Sequence, residues 1–268
     1  MPGSAVQTFT AANGRPPRIV LLIAGGPLAA MFVNGMRRHF ADVTVLKEEH
    51  ENKWGITRRR ARLVGWPQAL GQAAFGVLGK IIAKRSAARL AEIWHVYDMD
   101  PVPHGQDRWH PVGSVNSQAC REALAAAAPD VVLVYGTRII KGETLRAVRA
   151  PFINYHAGVT PLYRGQHGAY WARTVGDHAH AGLTVHLVDE GVDTGAVLYQ
   201  AVSDFSPADN ITTYQFRQMA DAIPLMIRAA EDALTGRLEP KQVALPSRQW
   251  FLPTVWGYCG TGLRTGIW

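Results

Sequence analysis

Apolar positions along this chain follow two periods in turn, and the alternation is plainest near the start. Arg18-Ile-Val-Leu-Leu-Ile-Ala-Gly-Gly26 is a short β-branched run closed by paired glycines, the pattern of a buried strand entering a turn. Helical spacing follows over residues 27–40, and Val43-Thr-Val-Leu46 reads as a second strand. Strand, helix, strand in that order predicts a parallel sheet with helices on both faces.

The rhythm resumes after Ser117, with an alanine-rich helix over residues 118–128 and the apolar run Val131-Val-Leu-Val-Tyr135. Continuous apolar composition marks the latter as a strand buried on both faces. Residues 136–140 form its exit loop, at the carboxyl end of the sheet, where open α/β folds hold their ligands. Strands are predicted at 152–156, 183–188 and 197–201, with a helix over 167–175 between them. A long helix over 212–234 is predicted to bend at Pro224, because proline has no amide donor and crowds the preceding turn. The last thirty residues carry Trp250, Phe251, Trp256, Tyr258 and Trp268 among prolines and glycines. They read as a packed cap or a contact surface.

Residues 53–89 break the pattern. Arg58, Arg59, Arg60 and Arg62 precede an uncharged stretch at 63–79, and Lys80, Lys84 and Arg85 follow it. The stretch has 17 residues, including Pro67 and several glycines, and so falls at the short end of what spans a bilayer. A packed helical excursion is the first reading and a helix in a membrane interface the second. The chain thus divides into an N-terminal extension (1–17), a Rossmann-like α/β domain (18–235) with a basic insertion at about 50–95, and an aromatic-rich tail (236–268).

Composition places the chain among ordinary globular proteins, with 47 % hydrophobic and 18 % charged residues in 268, enough for one large domain. The two cysteines fall in neither a metal nor a redox spacing, and the start lacks the layout of a secretory leader. A cytoplasmic protein, peripheral to the membrane on the second reading of the insertion, is the expectation. Residues 58–89 hold eight Lys or Arg and no Asp or Glu, more than the whole chain's net charge of +7. The block is therefore read either as a solvated face or as a contact, and as a contact a phosphorylated acceptor is slightly preferred to an anionic membrane surface.

Three features carry chemistry: Asn154-Tyr-His156, Pro161-Leu-Tyr-Arg-Gly165 and Asp189-Glu-Gly-Val-Asp-Thr-Gly195. Asn154 and His156, two apart on a strand, share a face, and Asp193 reaches them from a glycine-bounded loop. Such a set suits acyl transfer to an amine. An amide or imidazole stabilises the oxyanion, histidine moves the proton, and a carboxylate orients the ring. Neither a covalent nucleophile nor a metal is required, and His178 and His180 read as an exposed turn in place of a metal pair. His186 reads as structural.

Residues 154–200 resemble the signature of the formyltransferase family that uses 10-formyltetrahydrofolate, which includes glycinamide ribonucleotide, methionyl-tRNA and sugar N-formyltransferases. The similarity extends loosely over residues 18–234, with the basic insertion unmatched. It implies Asn154, His156 and Asp193 as catalytic residues. It also implies folate contacts from Thr137, Arg138, Ile139 and Ile140 and from Val188, Asp189, Glu190 and Gly191. Gly25 and Gly26, with a helix start behind them, and Arg164 are the candidate acceptor contacts, with Arg164 also read as only fixing its loop, although Pro27-Leu28 departs from the phosphate-binding turn of the purine branch. Only 75 residues follow Asp193, too few for the RNA-holding barrel of the methionyl-tRNA branch, so transfer RNA is not the expected partner. The expected acceptor is the amine of a small metabolite, an amino-sugar nucleotide ahead of a hydroxylamine or glycinamide ribonucleotide. A non-catalytic, membrane-associated module and a homodimer stay open.

Overall fold

The computed structural model describes residues 15–49 and 51–268. β1 (Arg18–Ile23), α1 (Pro27–His39) and β2 (Asp42–Glu48) form the opening unit. β1 alternates strictly: Ile19, Leu21 and Ile23 face one core, while Val20 and Leu22 face the other. A strand with two apolar faces needs helices on both. α1 supplies one cover, and the other comes later in the chain.

Between β2 and the next strand lie α2 (Lys53–Val64), α3 (Trp66–Arg85) and α4 (Ala87–Val96). The uncharged stretch is thus the body of α3. No helix among the described residues is long and apolar enough to cross a membrane. β3 (Trp109–Val112) follows and pairs with β2 at the sheet's edge. Pro111 is tolerated there because an edge strand can leave one side unpaired.

α5 (Gln118–Ala127) begins with Ser117 accepting a hydrogen bond from the Cys120 amide and buries Cys120 and Leu124 on the second core. β4 (Val131–Tyr135), α6 (Gly142–Leu145) and β5 (Phe152–His156) complete the parallel part. β6 (Arg164–Gly165), α7 (Gly168–Thr174), β7 (Gly182–Leu187) and β8 (Val197–Val202) follow. The sheet order is β3-β2-β1-β4-β5-β7-β8. Only β7 runs against the others, being antiparallel to both β5 and β8.

α8 (Tyr214–Leu234) lies beside α1 on the first core, burying Met219, Ala222, Met226, Ala229 and Ala230. It is continuous through Pro224, which sits on its exposed side, where a missing amide donor leaves no buried carbonyl orphaned. The aromatic tail folds back on the domain. β9 (Gln249–Trp250) pairs with β6, and α9 (Val255–Thr265) packs on α3. A satellite cluster of Phe75, Tyr170, Ile211, Tyr214 and Tyr258 joins α3, α7, α8 and α9.

Candidate active site

β5 sends Ile153 and Tyr155 into the first core, so Asn154 and His156 face the opposite side together. Directly across the antiparallel pairing, Asn154 stands opposite His186 and His156 opposite Thr184. Asp193 arrives from the loop after β7 in the left-handed conformation, φ +51°, which aspartate tolerates better than most residues.

These groups converge. His156 Nδ1 lies 3.3 Å from Asp193 Oδ2 and His186 Nε2 3.8 Å from Asp193 Oδ1. Asp193 Oδ2 also accepts the Gly165 amide at 2.9 Å. Proton positions follow from the partners. His156 Nε2 is 2.7 Å from the Tyr163 carbonyl, which only accepts, so Nε2 carries the hydrogen. His186 Nδ1 likewise donates to the Leu187 carbonyl at 2.7 Å. In the neutral ring its Nε2 then accepts, with the Asn154 NH2 toward His186 at 3.1 Å.

The close approach of ring and carbonyl depends on Gly158. A β-carbon there would strike the Tyr163 carbonyl and His156 Nε2. Gly195 does the same for His186, since a β-carbon at Gly195 would meet the Leu187 carbonyl.

Burial depresses the proton affinity of His156, with Asp193 and the Tyr163 carbonyl opposing it. Burial would by itself raise the Asp193 carboxyl, but the facing His156 and His186 and the Gly165 amide hold it at about 2. The resting pair is accordingly a neutral imidazole beside an ionised carboxylate. A proton arriving at His156 Nδ1 meets a negative charge already in place, as a general base requires.

The residues implied for folate contact fall in two loops. Loop 136–140 leaves the carboxyl end of β4, and loop 188–195 follows β7 beside β5. The first is braced by Glu48, buried at the end of β2, which accepts the Arg138 amide at 2.9 Å and the Val115 amide at 2.9 Å. Arg138 reaches back to the Gly113 and Glu49 carbonyls, Thr137 bonds the Arg138 carbonyl, and Ile140 is buried in the second core. Ile139 alone is an exposed side chain of that loop's apolar pair. In the second loop Asp189 accepts from the Gly191 amide and from Thr194, Glu190 faces Arg146 at 3.5 Å, and the Val188 amide bonds the Phe152 carbonyl. Side chains there shape the loops, leaving backbone and apolar surface for a ligand.

Arg164 fixes its loop. Its guanidinium donates to the Val192 carbonyl at 2.8 Å and to Ser247 Oγ at 2.9 Å, so it clamps loop 188–195 to β6. Gly25 and Gly26 lie at the end of β1, two strands from β5 in the sheet, and Gly26 opens α1 at φ +94°. His178 and His180 form an exposed turn, with His180 bonded to Asp177 at 2.8 Å. The described residues contain no group of three or more His, Cys, Asp or Glu disposed around a common metal position. His186 needs correction, from structural residue to member of the central cluster. The signal was available: it alternates on β7 toward the face that Asn154 occupies on β5.

A doubly wound α/β sheet with an Asn, His, Asp set at the end of one strand defines a candidate acyl-transfer site. The sequence pattern of the formyl transferase family matches residues 80–229, more than half the chain, and this protein belongs to that family. It is 32 % identical over 126 residues to the methionyl-tRNA formyltransferase of Synechocystis sp., a match covering 45 % of this chain and 38 % of that protein. The chain thus spans less than half the length of the curated relatives it matches. Two solved structures share the fold at a TM-score of 0.54. A sugar N-formyltransferase from Shewanella sp. is 16 % identical, covering 87 % of this chain and 76 % of that one. The N-formyltransferase from Helicobacter canadensis, in complex with folinic acid and dTDP-3-aminofucose, is 14 % identical, covering 86 % and 70 %.

Proposed function

We propose that this protein transfers the formyl group of 10-formyltetrahydrofolate to the amine of a small metabolite, with an amino-sugar nucleotide as the preferred acceptor. The observation that carries the reading is the cluster of Asn154, His156, His186 and Asp193, with its tautomers set by backbone carbonyls. The two braced loops, 136–140 and 188–195, suit a flat heterocycle gripped by backbone groups and the exposed Ile139. The folate supplies a formyl carbon on a nitrogen that leaves as an amine.

The residues of this chain do the rest. One Nδ2 hydrogen of Asn154 is held by His186, leaving the other to meet the negative charge that develops on the formyl oxygen. As the acceptor nitrogen bonds to the formyl carbon it loses a proton, which the His156–Asp193 pair takes up. The same proton is returned to the departing nitrogen, so none is consumed. A small acceptor is favoured because the Helicobacter canadensis neighbour was solved with an amino-sugar nucleotide.

The test is release of tetrahydrofolate from 10-formyltetrahydrofolate with dTDP-amino-sugars, hydroxylamines, glycinamide ribonucleotide and methionyl-tRNA as acceptors. Amine-dependent release with a small acceptor is expected, and His156→Ala should reduce it by roughly a hundredfold or more. Formylation of methionyl-tRNA alone would overturn the acceptor assignment. No release with any acceptor would overturn the activity.

A further inference from the structure

α3 is an unusual surface helix. Its buried side, Gly71, Gln72 and Phe75, packs on the tail, where Gln72 donates to the Leu252 carbonyl and Phe75 meets Tyr258 with ring centroids 5.0 Å apart. On the opposite side, positions 66, 70, 73, 77, 81 and 84 line up at the spacing of a 3.6-residue helix. There Leu70, Val77 and Ile81 are 53 %, 63 % and 48 % exposed, where an ordinary surface helix carries polar residues.

Neighbouring elements extend the patch. Trp54 of α2 lies 6.0 Å from Trp66 by ring centroid, and both are exposed. Trp256 of α9 rests against Gly71 on the covered side and is not part of the stripe. Just beyond α3, Arg89 of α4 grips buried Asp209 through two hydrogen bonds of 2.9 and 3.0 Å.

The unpaired charge around the stripe has one sign. Arg59 is paired with Glu51 and Arg89 with Asp209 and Glu92. Among the described residues, Arg58, Arg60, Arg62, Lys80, Lys84 and Arg85 make no ion pair within 4 Å. An exposed apolar ridge flanked by cations and interfacial tryptophans matches one kind of surface, the headgroup region of an anionic bilayer.

We infer that the outer face of α2 and α3, with Trp54 and Trp66, docks this protein onto anionic lipid membranes without crossing them. A second copy is disfavoured because a two-fold contact centred on this face would set the same cations against each other. Nucleic acid would satisfy the cations but offers little to bury Leu70, Val77 and Ile81, since its protein interfaces are polar and wet. A phosphorylated acceptor leaves the same aliphatic side chains in water.

The experiment is sedimentation of the full chain with vesicles of phosphatidylcholine alone, or mixed with phosphatidylglycerol in about equal parts, across a salt series. Binding to the anionic vesicles that weakens with salt is expected, with little binding to the neutral ones. Lys80→Ser, Lys84→Ser and Arg85→Ser together should weaken it by roughly fivefold per cation, on the order of a hundredfold in all. Leu70→Asp with Val77→Asp should abolish it, and formyl transfer in solution should be unchanged in both variants. Every substituted position is exposed, and the cation variant leaves the apolar contacts intact, so the two separate lost docking from lost folding. Protein left in the supernatant with anionic vesicles would overturn the inference. So would vesicle binding unaltered in both variants, a dimer in sedimentation velocity that Leu70→Asp with Val77→Asp dissociates, or tighter binding to transfer RNA than to anionic vesicles.

Discussion

Replacing Asp193 by Asn isolates the charge that the site relies on. The side chain keeps its size, and its amide oxygen can still accept the Gly165 amide that Asp193 now holds at 2.9 Å. What disappears is a negative charge 3.3 Å from His156 Nδ1 in a site where both partners are largely buried. At an effective dielectric of about 20, a unit pair at that distance is worth about 5 kcal/mol. That energy is available only once the imidazole is protonated, so its loss falls on the transition state and not on the resting enzyme. Turnover should drop on the order of a thousandfold, with the dissociation constant for 10-formyltetrahydrofolate little changed. The pH profile should move as well. Burial lowers the proton affinity of His156 and Asp193 raises it, so removing the carboxylate lowers it further. The acid limb of kcat/KM, which reports the need for a neutral base, should then shift to lower pH on a lower plateau. The assay is stopped-time formyl transfer across pH, with folate binding measured by fluorescence quenching. A variant with near wild-type turnover and an unmoved limb would refute the general-base pairing. Weak folate binding with normal turnover at saturation would place Asp193 in ligand binding instead.

Two further outcomes follow from single residues. His186→Phe removes the acceptor of the Asn154 amide and the donor to the Leu187 carbonyl, which should cost about 1–3 kcal/mol of stability for buried groups left unpaired. It should also lower kcat more than it raises KM, as measured by urea unfolding beside steady-state kinetics. His167 sits before α7 at φ +55°, and burial lowers its pKa to about 4. As pH falls below the unfolded value near 6.5, the unfolded chain takes up a proton that the folded chain refuses. Stability should therefore drop by about 2 kcal/mol between pH 7 and pH 5 from this residue. His167→Asn, which accepts the left-handed backbone, should flatten that slope in urea unfolding at the two pH values.

The sheet was legible because its strands bury two apolar faces, and β1 and β4 show this in continuous runs of Ile, Val and Leu. β3 was not, since Trp109-His-Pro-Val112 is an edge strand with two exposed positions and a proline, and nothing in it alternates. The pairing of β6 with β9 joins residues more than eighty apart through two residues each. A contact that short leaves no periodic trace. Asn154, His156 and Asp193 were readable from spacing and motif together. Glu48 was invisible, because its task is to hold the 136–140 loop by backbone amides, and a lone acid at a strand end has many ordinary uses.

The basic insertion shows where pattern and placement part company. Counting charges locates the block at 58–89, and reading its uncharged center predicts a helix, but neither says which side of that helix is covered. α3 is apolar on both sides, so periodicity gives no orientation. Only Trp256 against Gly71 and Phe75 against Tyr258 establish that one side is taken by the tail. Leu70, Val77 and Ile81 therefore remain outward. Charge is what argues for a phosphorylated acceptor at this block. Once three aliphatic side chains and two tryptophans share the same exposed face with the cations, a partner that only neutralises charge leaves the apolar half of the surface unexplained. A partner with both anionic and hydrocarbon character accounts for each half with the residues that carry it.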